Sequence, residues 1–387
     1  MKRKHFLAGV TGAAAAAALP RAVNAQQFVQ QFTIAINAPL SGPYSLLGKQ
    51  LADGALAAVV EENQTFLPTQ GAGGTGFAIR PLDDGGTLAQ AIANIRFAAA
   101  DPTVIAVIGG PNNAIVTQTV PQYSDVRMPL LVPASTADGI TARGYRNVWR
   151  LPTKDSSEGS LLARYVARKQ RPHRAIAIAQ DIPYGPDVAR GFTDQMNALK
   201  ILGMTYTFPA EHSDYSAAAR EVLAKQPDYL YLCGTSEGLG PIAPALRSAG
   251  YAGALGASEG FFNQQTTDQF AAALEGALVS TSFPPLDRAT NLPTLLPDFR
   301  ARTAVTALSA FSYAAAQIVM DASRRAGGLS RLSMLTALRQ PIGYDTIVGP
   351  FLFNAFGDPI DPNIYLYAVR GGKISYVEAA HPTSFVA

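Results

Sequence analysis

The sequence predicts an α/β protein made of two similar doubly wound lobes, each built on a parallel sheet. Three observations carry this reading. The chain has 387 residues, more than one core usually holds. Short, nearly all-apolar runs alternate with amphipathic segments of helical period, the pattern of parallel strands covered on both faces. That βαβα series then occurs a second time.

The first segment is an address label rather than part of the fold. Lys2, Arg3 and Lys4 precede an apolar run from Phe6 to Leu19, followed by Pro20 and the small-residue site Val23-Asn24-Ala25. A charged head, an apolar stretch too short to span a bilayer and an A-x-A-like site read as a cleaved signal peptide over residues 1–25. Arg3-Lys4-His5-Phe6-Leu7 is close to a twin-arginine signal with lysine in the second place, so the secretory and twin-arginine routes both remain open. Either delivers the chain to the periplasm. Removing Lys2, Arg3, Lys4 and Arg21 lowers Lys plus Arg from 31 to 27 against 28 Asp plus Glu, a net charge of −1. No basic block is left to recruit nucleic acid or anionic lipid. No later apolar run reaches membrane-spanning length, which predicts a soluble mature chain.

In the first series, Phe32 to Ile36, Phe77 to Leu82, Val104 to Ile108 and Leu130 to Val132 read as strands. Between them, Thr87 is a helix N-cap, Leu88, Ala91, Ile92, Ile95 and Ala99 share one face, and Asp101-Pro102 ends the helix. In the second series, Ala175 to Ala179, Met204 to Phe208, Tyr229 to Leu232 and Ala254 to Ala257 are strands. Helices begin near Gly185, Tyr215, Leu239 and Thr266. Chain crossings near Leu151-Pro152 and Val279 to Ser282 return the long helical pattern Thr303 to Ala326, with Leu332 to Leu338 after it, to the first lobe. Phe351 to Phe353 and Ile364 to Val369 then finish the sheets. The division is 28–149 plus 283–350 for lobe 1 and 150–282 plus 351–380 for lobe 2.

Enzyme chemistry is weakly represented. Gly234-Thr235-Ser236-Glu237-Gly238 fits a nucleophile elbow after a strand, but so does Gly256-Ala257-Ser258-Glu259-Gly260. A serine hydrolase also needs a histidine base. Of His173, His212 and His381 only the last follows both serines, in a C-terminal tail. The histidines are far apart and one cysteine makes no zinc cage, so no metal site is expected. Cys233, in an apolar run, excludes an internal disulfide and reads as core filler. The glycine-rich stretch Gly71 to Gly76 lacks the Lys-Ser/Thr of a phosphate-binding loop, and no dinucleotide fingerprint follows the first strand. Asp83-Asp84 reads as a solvated strand end. No cofactor and no enzymatic activity are expected.

The first loop, Ala38-Pro39-Leu40-Ser41-Gly42-Pro43 with Gly48, Gly54 and Ala55, resembles the opening of the leucine/isoleucine/valine-binding protein family. In order after it come Asp83-Asp84, Val107-Ile108-Gly109, Pro129 to Thr136, Arg143 to Arg150, Tyr184-Gly185, Pro227-Asp228, Gly256 with Glu259-Gly260, and Tyr344 to Pro350. The resemblance implies a type I periplasmic binding protein fold, two lobes joined by a three-strand hinge and closing over a small ligand. It implies an ABC importer with a membrane permease as partner; the oligomeric state stays open, with a monomer as the default. A ligand-sensing protein serving a membrane receptor has the same fold and stays open beside it. The turns Asn112-Asn113-Ala114 and Ala134-Ser135-Thr136 follow strands of the first lobe, and their backbone N–H groups with the Ser135 and Thr136 hydroxyls suit a carboxylate. By resemblance these loops hold an amino acid's α-carboxylate, Glu259 receives its ammonium from the other lobe, and Tyr184 is an aromatic wall. Asn113 stands where the family has serine, Leu47 where many relatives have an aromatic, and Thr235 where one precedes Glu237, so the side-chain pocket is remodelled. Phe261 and Phe262 are candidates to line it.

Overall fold

The computed structural model describes residues 30–65, 75–209, 214–286, 305–326 and 330–382. The signal segment, Gly71 to Gly74 and His212 lie outside the described residues.

Two sheets organise the chain. The first has the order β2-β1-β3-β4-β5, formed by β1 (Gln30–Ala38), β2 (Thr75–Asp83), β3 (Val104–Gly109), β4 (Leu130–Val132) and β5 (Val148–Arg150). All four pairings are parallel. Every residue of β3 is buried, as a central strand covered on both faces must be. Side chains alternate across the sheet, so Ile34 and Ile36 join one apolar cluster while Ala35 between them joins another. Helices α1 (Ser45–Thr65), α2 (Leu88–Ala100), α3 (Asn113–Asp125) and the short α4 (Gly139–Ala142) follow the strands. Thr87 caps α2 by accepting from the Gln90 N–H.

The second sheet runs β14-β13-β10-β9-β8-β6-β7. Its parallel part is β6 (Arg174–Gln180), β7 (Leu202–Phe208), β8 (Tyr229–Cys233), β9 (Ala254–Ala257) and β10 (Leu278–Thr281). The same alternation divides Ile176 and Ile178 from Ala175, Ala177 and Ala179, and Cys233 fills the latter cluster. The helices here are α5 (Asp155–Lys169), α6 (Gly185–Ala198), α7 (Tyr215–Leu223), α8 (Ser236–Leu239), α9 (Ile242–Ser248) and α10 (Gln264–Phe270). Helices α5 and α6 pack at backbone distance because each presents a glycine. A Cβ on Gly159 would lie 2.1 Å from the Val188 carbonyl, and one on Gly191 would lie 2.0 Å from that of Ser156.

Three differences from the sequence reading are physical. Val279 to Ser282 is a crossing only at its end, since β10 is a buried strand and the chain leaves the sheet at Ser282. Phe351 to Phe353 does not finish either sheet: β11 (Tyr344–Thr346) and β12 (Gly349–Phe351) pair antiparallel as a separate hairpin. The expected strand Ile364 to Val369 does extend the second sheet, as β13 (Ile364–Arg370) antiparallel to β10, and β14 (Lys373–Ala380), not foreseen from the sequence, closes it antiparallel to β13. The long helix is α11 (Ala307–Arg325), capped by Thr306 and packed on α1, followed by α12 (Arg331–Leu338).

Arg150 and Thr153 tie the first connection between the sheets to the third. Thr153 Oγ1 donates to the Asn363 carbonyl at 2.6 Å, and the Arg150 N–H donates to the Gly357 carbonyl at 2.8 Å. The Arg150 side chain is fully buried and pairs with Asp358.

Candidate functional site

The first-lobe turns are held from within the chain. Asn112 caps α3, its carboxamide oxygen accepting from the N–H groups of Ala114 and Ile115 at 3.0 and 3.1 Å. The Asn113 oxygen accepts from the N–H groups of Thr136 at 2.8 Å and Ala137 at 3.3 Å, and its amide nitrogen donates to Thr136 Oγ1 at 3.4 Å. Ser135 is fully buried and its hydroxyl donates to the Gly110 carbonyl at 3.0 Å. This corrects one part of the sequence reading. The Ala114 and Thr136 N–H groups and the Ser135 hydroxyl are already engaged, by two asparagine carboxamides and a carbonyl, because a buried N–H cannot go unpaired. These turns still offer the second Asn113 amide hydrogen and the Asn113 and Ser135 N–H groups, while the Thr136 hydroxyl lies beside the buried Asp155 carboxyl. Ala134 packs beside the core of the first sheet.

Arg150 backs this loop. Its Nη1 donates to the Thr136 and Ala137 carbonyls at 2.8 and 2.6 Å, and Nη2 donates to Thr141 Oγ1 at 2.7 Å. In the sequence this residue stood only as the end of the family-like stretch Arg143 to Arg150, with no role assigned to it.

In the second lobe, Glu259 follows β9. Its Oε2 accepts from Thr281 Oγ1 at 3.0 Å, the Ser282 N–H at 2.8 Å and Ser282 Oγ at 2.6 Å. Oε1 has no hydrogen-bond partner among the described residues. Burial raises the Glu259 pKa, against the lowering effect of the Ser282 and Thr281 donors. Tyr184, at the N-cap of α6, donates from its hydroxyl to Glu158 Oε2 at 3.1 Å. Thr235 caps α8, and both its N–H and its hydroxyl donate to Gln180 Oε1, at 3.0 and 3.3 Å. Phe261 is buried in the core while Phe262, partly buried, rests on Tyr367 with ring centroids 4.4 Å apart.

The first turn of α5 joins the two halves. The Asp155 N–H donates to the Thr136 carbonyl at 3.1 Å and the Ser156 N–H to Asp138 Oδ1 at 3.0 Å. Three residues on, the buried Glu158 accepts from the Glu259 N–H at 3.0 Å and from Ser280 Oγ at 2.7 Å. A helix rises 1.5 Å per residue, so Asp155 and Glu158 are only about 5 Å apart along the axis. Thr136 and Glu259 do not touch; a single helical turn lies between their supports. Arg190 of α6 also reaches Asp138 at 3.1 Å.

Sequence reasoning missed Asp155 and Glu158. Two acids in a first helical turn ordinarily face solvent and favour the dipole, and nothing local marks them as buried. Burial pushes the Asp155 carboxyl well above its ordinary value, against the lowering effect of the Thr136 side chain beside it. Burial, then the charge of Glu259, pushes Glu158 up to about 8.

Other motifs resolve differently. Ser236 Oγ donates to Asn263 Oδ1 at 3.1 Å and Ser258 Oγ to the Gly234 carbonyl at 3.3 Å. His381 contacts Asn363, and among the described residues no histidine is bonded to either serine as the base a nucleophile needs. Asp83 is exposed and gathers the N–H groups of Leu40, Ser41 and Gly85. Asp84 is buried rather than solvated and accepts from Gly86. Among the described residues no group of three or more His, Cys, Asp or Glu could hold a metal, and no helix is long and apolar enough to cross a membrane. A cavity of about 510 Å³ opens beside the connections between the sheets, lined among others by Thr153, Ser282, Phe311, Asn363 and Tyr365. None of the nine expected site residues lines it, although Ser282 also holds Glu259.

The sequence profile of the family described as periplasmic binding protein matches residues 31–373. A Leu/Ile/Val-binding protein homolog of Brucella suis is 24% identical over 350 residues, 89% of this chain and 93% of the relative. The crystal structure of a leucine binding protein from Thermotoga maritima superposes with a TM-score of 0.78 at 21% identity, covering 91% of this chain and 99% of that one. A solute binding protein from R. palustris, solved in complex with benzoate, gives 0.72 at 20% identity, covering 91% and 97%.

Proposed function

This chain belongs to the periplasmic binding protein family, and on that premise we propose that it is the periplasmic solute-binding protein of an ABC importer. It captures a small carboxylate-bearing ligand, an amino acid or a close relative, by closure of two lobes and presents it to a membrane permease. Residues 28–149 with 283–350 are assigned to one lobe and 150–282 with 351–380 to the other, except that Arg150 ends β5 of the first sheet and Phe351 and Phe353 pack with the first core. The observation that carries the reading is the convergence of an anion-suited loop and a buried acid on the first turn of α5. The Thr136 hydroxyl and the Asn113 amide face a carboxylate. Glu259 Oε1, unpaired beside an Oε2 already bound by three donors, receives an ammonium. A zwitterion is the ligand that satisfies both at once, and it gains both sets of contacts only when the lobes are together, so it shifts the hinge equilibrium.

The relatives support this class: one is a Leu/Ile/Val-binding protein homolog, one solved structure is a leucine binding protein, and another was solved in complex with benzoate. The test is isothermal titration of the exported protein with L-leucine and with benzoate, beside native mass spectrometry of the freshly purified chain. Tight binding of an amino acid supports the bridge between Thr136 and Glu259. Binding of benzoate with no amino acid keeps the carboxylate half and removes Glu259 from its ammonium role. Absence of any small carboxylate ligand in a broader thermal-shift screen would refute the reading.

A further inference from the structure

We propose that Glu158 is the positioning residue of the second-lobe half of this site, and that it gives up a proton to bulk water when an amine-bearing ligand is captured on Glu259. The inference rests on the function proposed above and assigns work to a residue that need not touch the ligand.

Glu158 is buried and, among the described residues, its side chain binds two of the three second-lobe candidates, Tyr184 and Glu259. Its Oε1 accepts from the Glu259 N–H at 3.0 Å and its Oε2 is 3.1 Å from the Tyr184 hydroxyl. Ser280 at 2.7 Å and Tyr231 at 3.4 Å close the network from β10 and β8. Only 3% of Glu158 is exposed, and hydrogen bonds from four different elements hold its carboxyl. Two carboxyl groups therefore share one dry network, and two adjacent charges there are costly unless a cation arrives.

The groups facing Glu158 supply no such cation. On its own helix stands Asp155; from α6 comes Tyr184, from β8 come Tyr231 and Cys233, and after β9 comes Glu259. Burial pushes all of these up. On β14, Glu378 is bound to Tyr165 and lies 3.7 Å from Lys169, about two turns away along α5. The surrounding cations are engaged elsewhere: Arg150 with Asp358, Arg190 with Asp138 and Asp187, Arg164 with Gln195. A protonated Glu158 keeps the accepting oxygen for the Glu259 N–H and can donate to the Tyr184 oxygen instead. An ammonium on Glu259 adds positive charge beside the pair and lowers the proton affinity of Glu158, so capture releases protons and affinity rises with pH.

The sign for the empty protein is opposite. A glutamic acid whose folded pKa exceeds its unfolded one binds more protons folded than unfolded, so stability falls as pH rises from about 4.5 through about 8.

The experiment compares wild type, Glu158→Gln and Glu158→Ala. Glutamine reproduces the protonated acid, with one accepting oxygen and one donor. Urea midpoints without ligand are taken from pH 5 to 8.5, and L-leucine is titrated at pH 6 and 8.5 in two buffers of different ionisation enthalpy. Wild type is expected to lose stability over that range and to bind about tenfold tighter at pH 8.5 than at pH 6, the effect of a one-unit shift on binding, with protons released to the buffer. Glu158→Gln should bind within threefold of wild type at pH 6 and show neither the stability slope nor the proton release. Glu158→Ala, with Tyr184 and Glu259 unsupported, should lose tenfold or more at both pH values. The proposal is overturned if Glu158→Gln keeps the wild-type slope and proton release, or binds as poorly as Glu158→Ala. If wild type binds no carboxylate ligand, the proposed function fails instead. The ligand-free slope then still decides Glu158: its loss in Glu158→Gln retains the titrating acid, and its persistence removes it.

Discussion

Replacing Arg150 with methionine should both destabilise the fold and loosen the first-lobe half of the site. The guanidinium is fully buried and donates to Asp358, to the Thr136 and Ala137 carbonyls and to Thr141 Oγ1. Methionine restores the volume but none of the donors. Breaking a buried pair from one side costs about 3–5 kcal/mol because a charge is left behind, and each stranded carbonyl adds about 1 kcal/mol. Asp358 retains 15% of its side-chain exposure, so water recovers part of this, and about 4 kcal/mol is the expected net loss. With a urea slope of about 2–3 kcal/mol per molar, the unfolding midpoint should fall by roughly 1.5 M, followed by tryptophan fluorescence of the single Trp149, which adjoins the mutation. Arg150→Met/Asp358→Leu should recover more than half the loss, because the stranded acid is gone. A midpoint shift below about 0.3 M in the single variant would show that the pair contributes little and that the Thr136 loop is held by Asn113 alone. Carboxylate affinity measured on the folded single variant should also drop, since the Thr136 and Ala137 carbonyls lose their tether.

Glu259→Ala should weaken an amine-bearing ligand by about 3 kcal/mol, or roughly a hundredfold; an unchanged dissociation constant by calorimetry would remove the ammonium contact. Thr136→Ala should weaken amino acids and amine-free acids alike, and equal affinity in wild type and variant would argue against a hydroxyl contact. Gly159→Ala places a Cβ 2.1 Å from a backbone oxygen and should cost about 3 kcal/mol by forcing α5 from α6; a melting curve matching wild type would refute that packing argument. Ser236→Ala should leave ligand affinity unchanged, and neither wild type nor variant should turn over an ester; wild-type turnover lost with the hydroxyl would restore the hydrolase reading.

The strand and helix pattern was legible because it is local. Apolar runs such as Val104 to Ile108 and Ala175 to Ala179 announce buried parallel strands, and Thr87 announces a helix start, from neighbours a few residues away. Strands that end at a chain crossing were harder. Val148–Arg150 and Leu278–Thr281 carry three and four residues, too few to show a period. Lys373–Ala380 mixes exposed and partly buried positions because it lies at the sheet edge. The order of short motifs along the chain was enough to indicate the family, since each is short and weak alone while their order and spacing together are specific.

The chemistry of the site is divided in the same way. By itself the sequence determined which loops end the strands of each lobe and placed Asn113, Thr136, Tyr184 and Glu259 on them, because a strand end is a property of local hydrophobic pattern. Tertiary structure alone decided that the Asn113 oxygen occupies the Thr136 N–H, that Arg150 ties that loop to Asp358 more than 200 residues later, and that Glu158 lies under Glu259 across 101 positions. Those pairings set burial, and burial sets whether an acid carries its proton. A first-turn glutamate has the same letter whether it faces water or a neighbouring carboxylate; only the packing of α5 on α6 and β10 distinguishes the two.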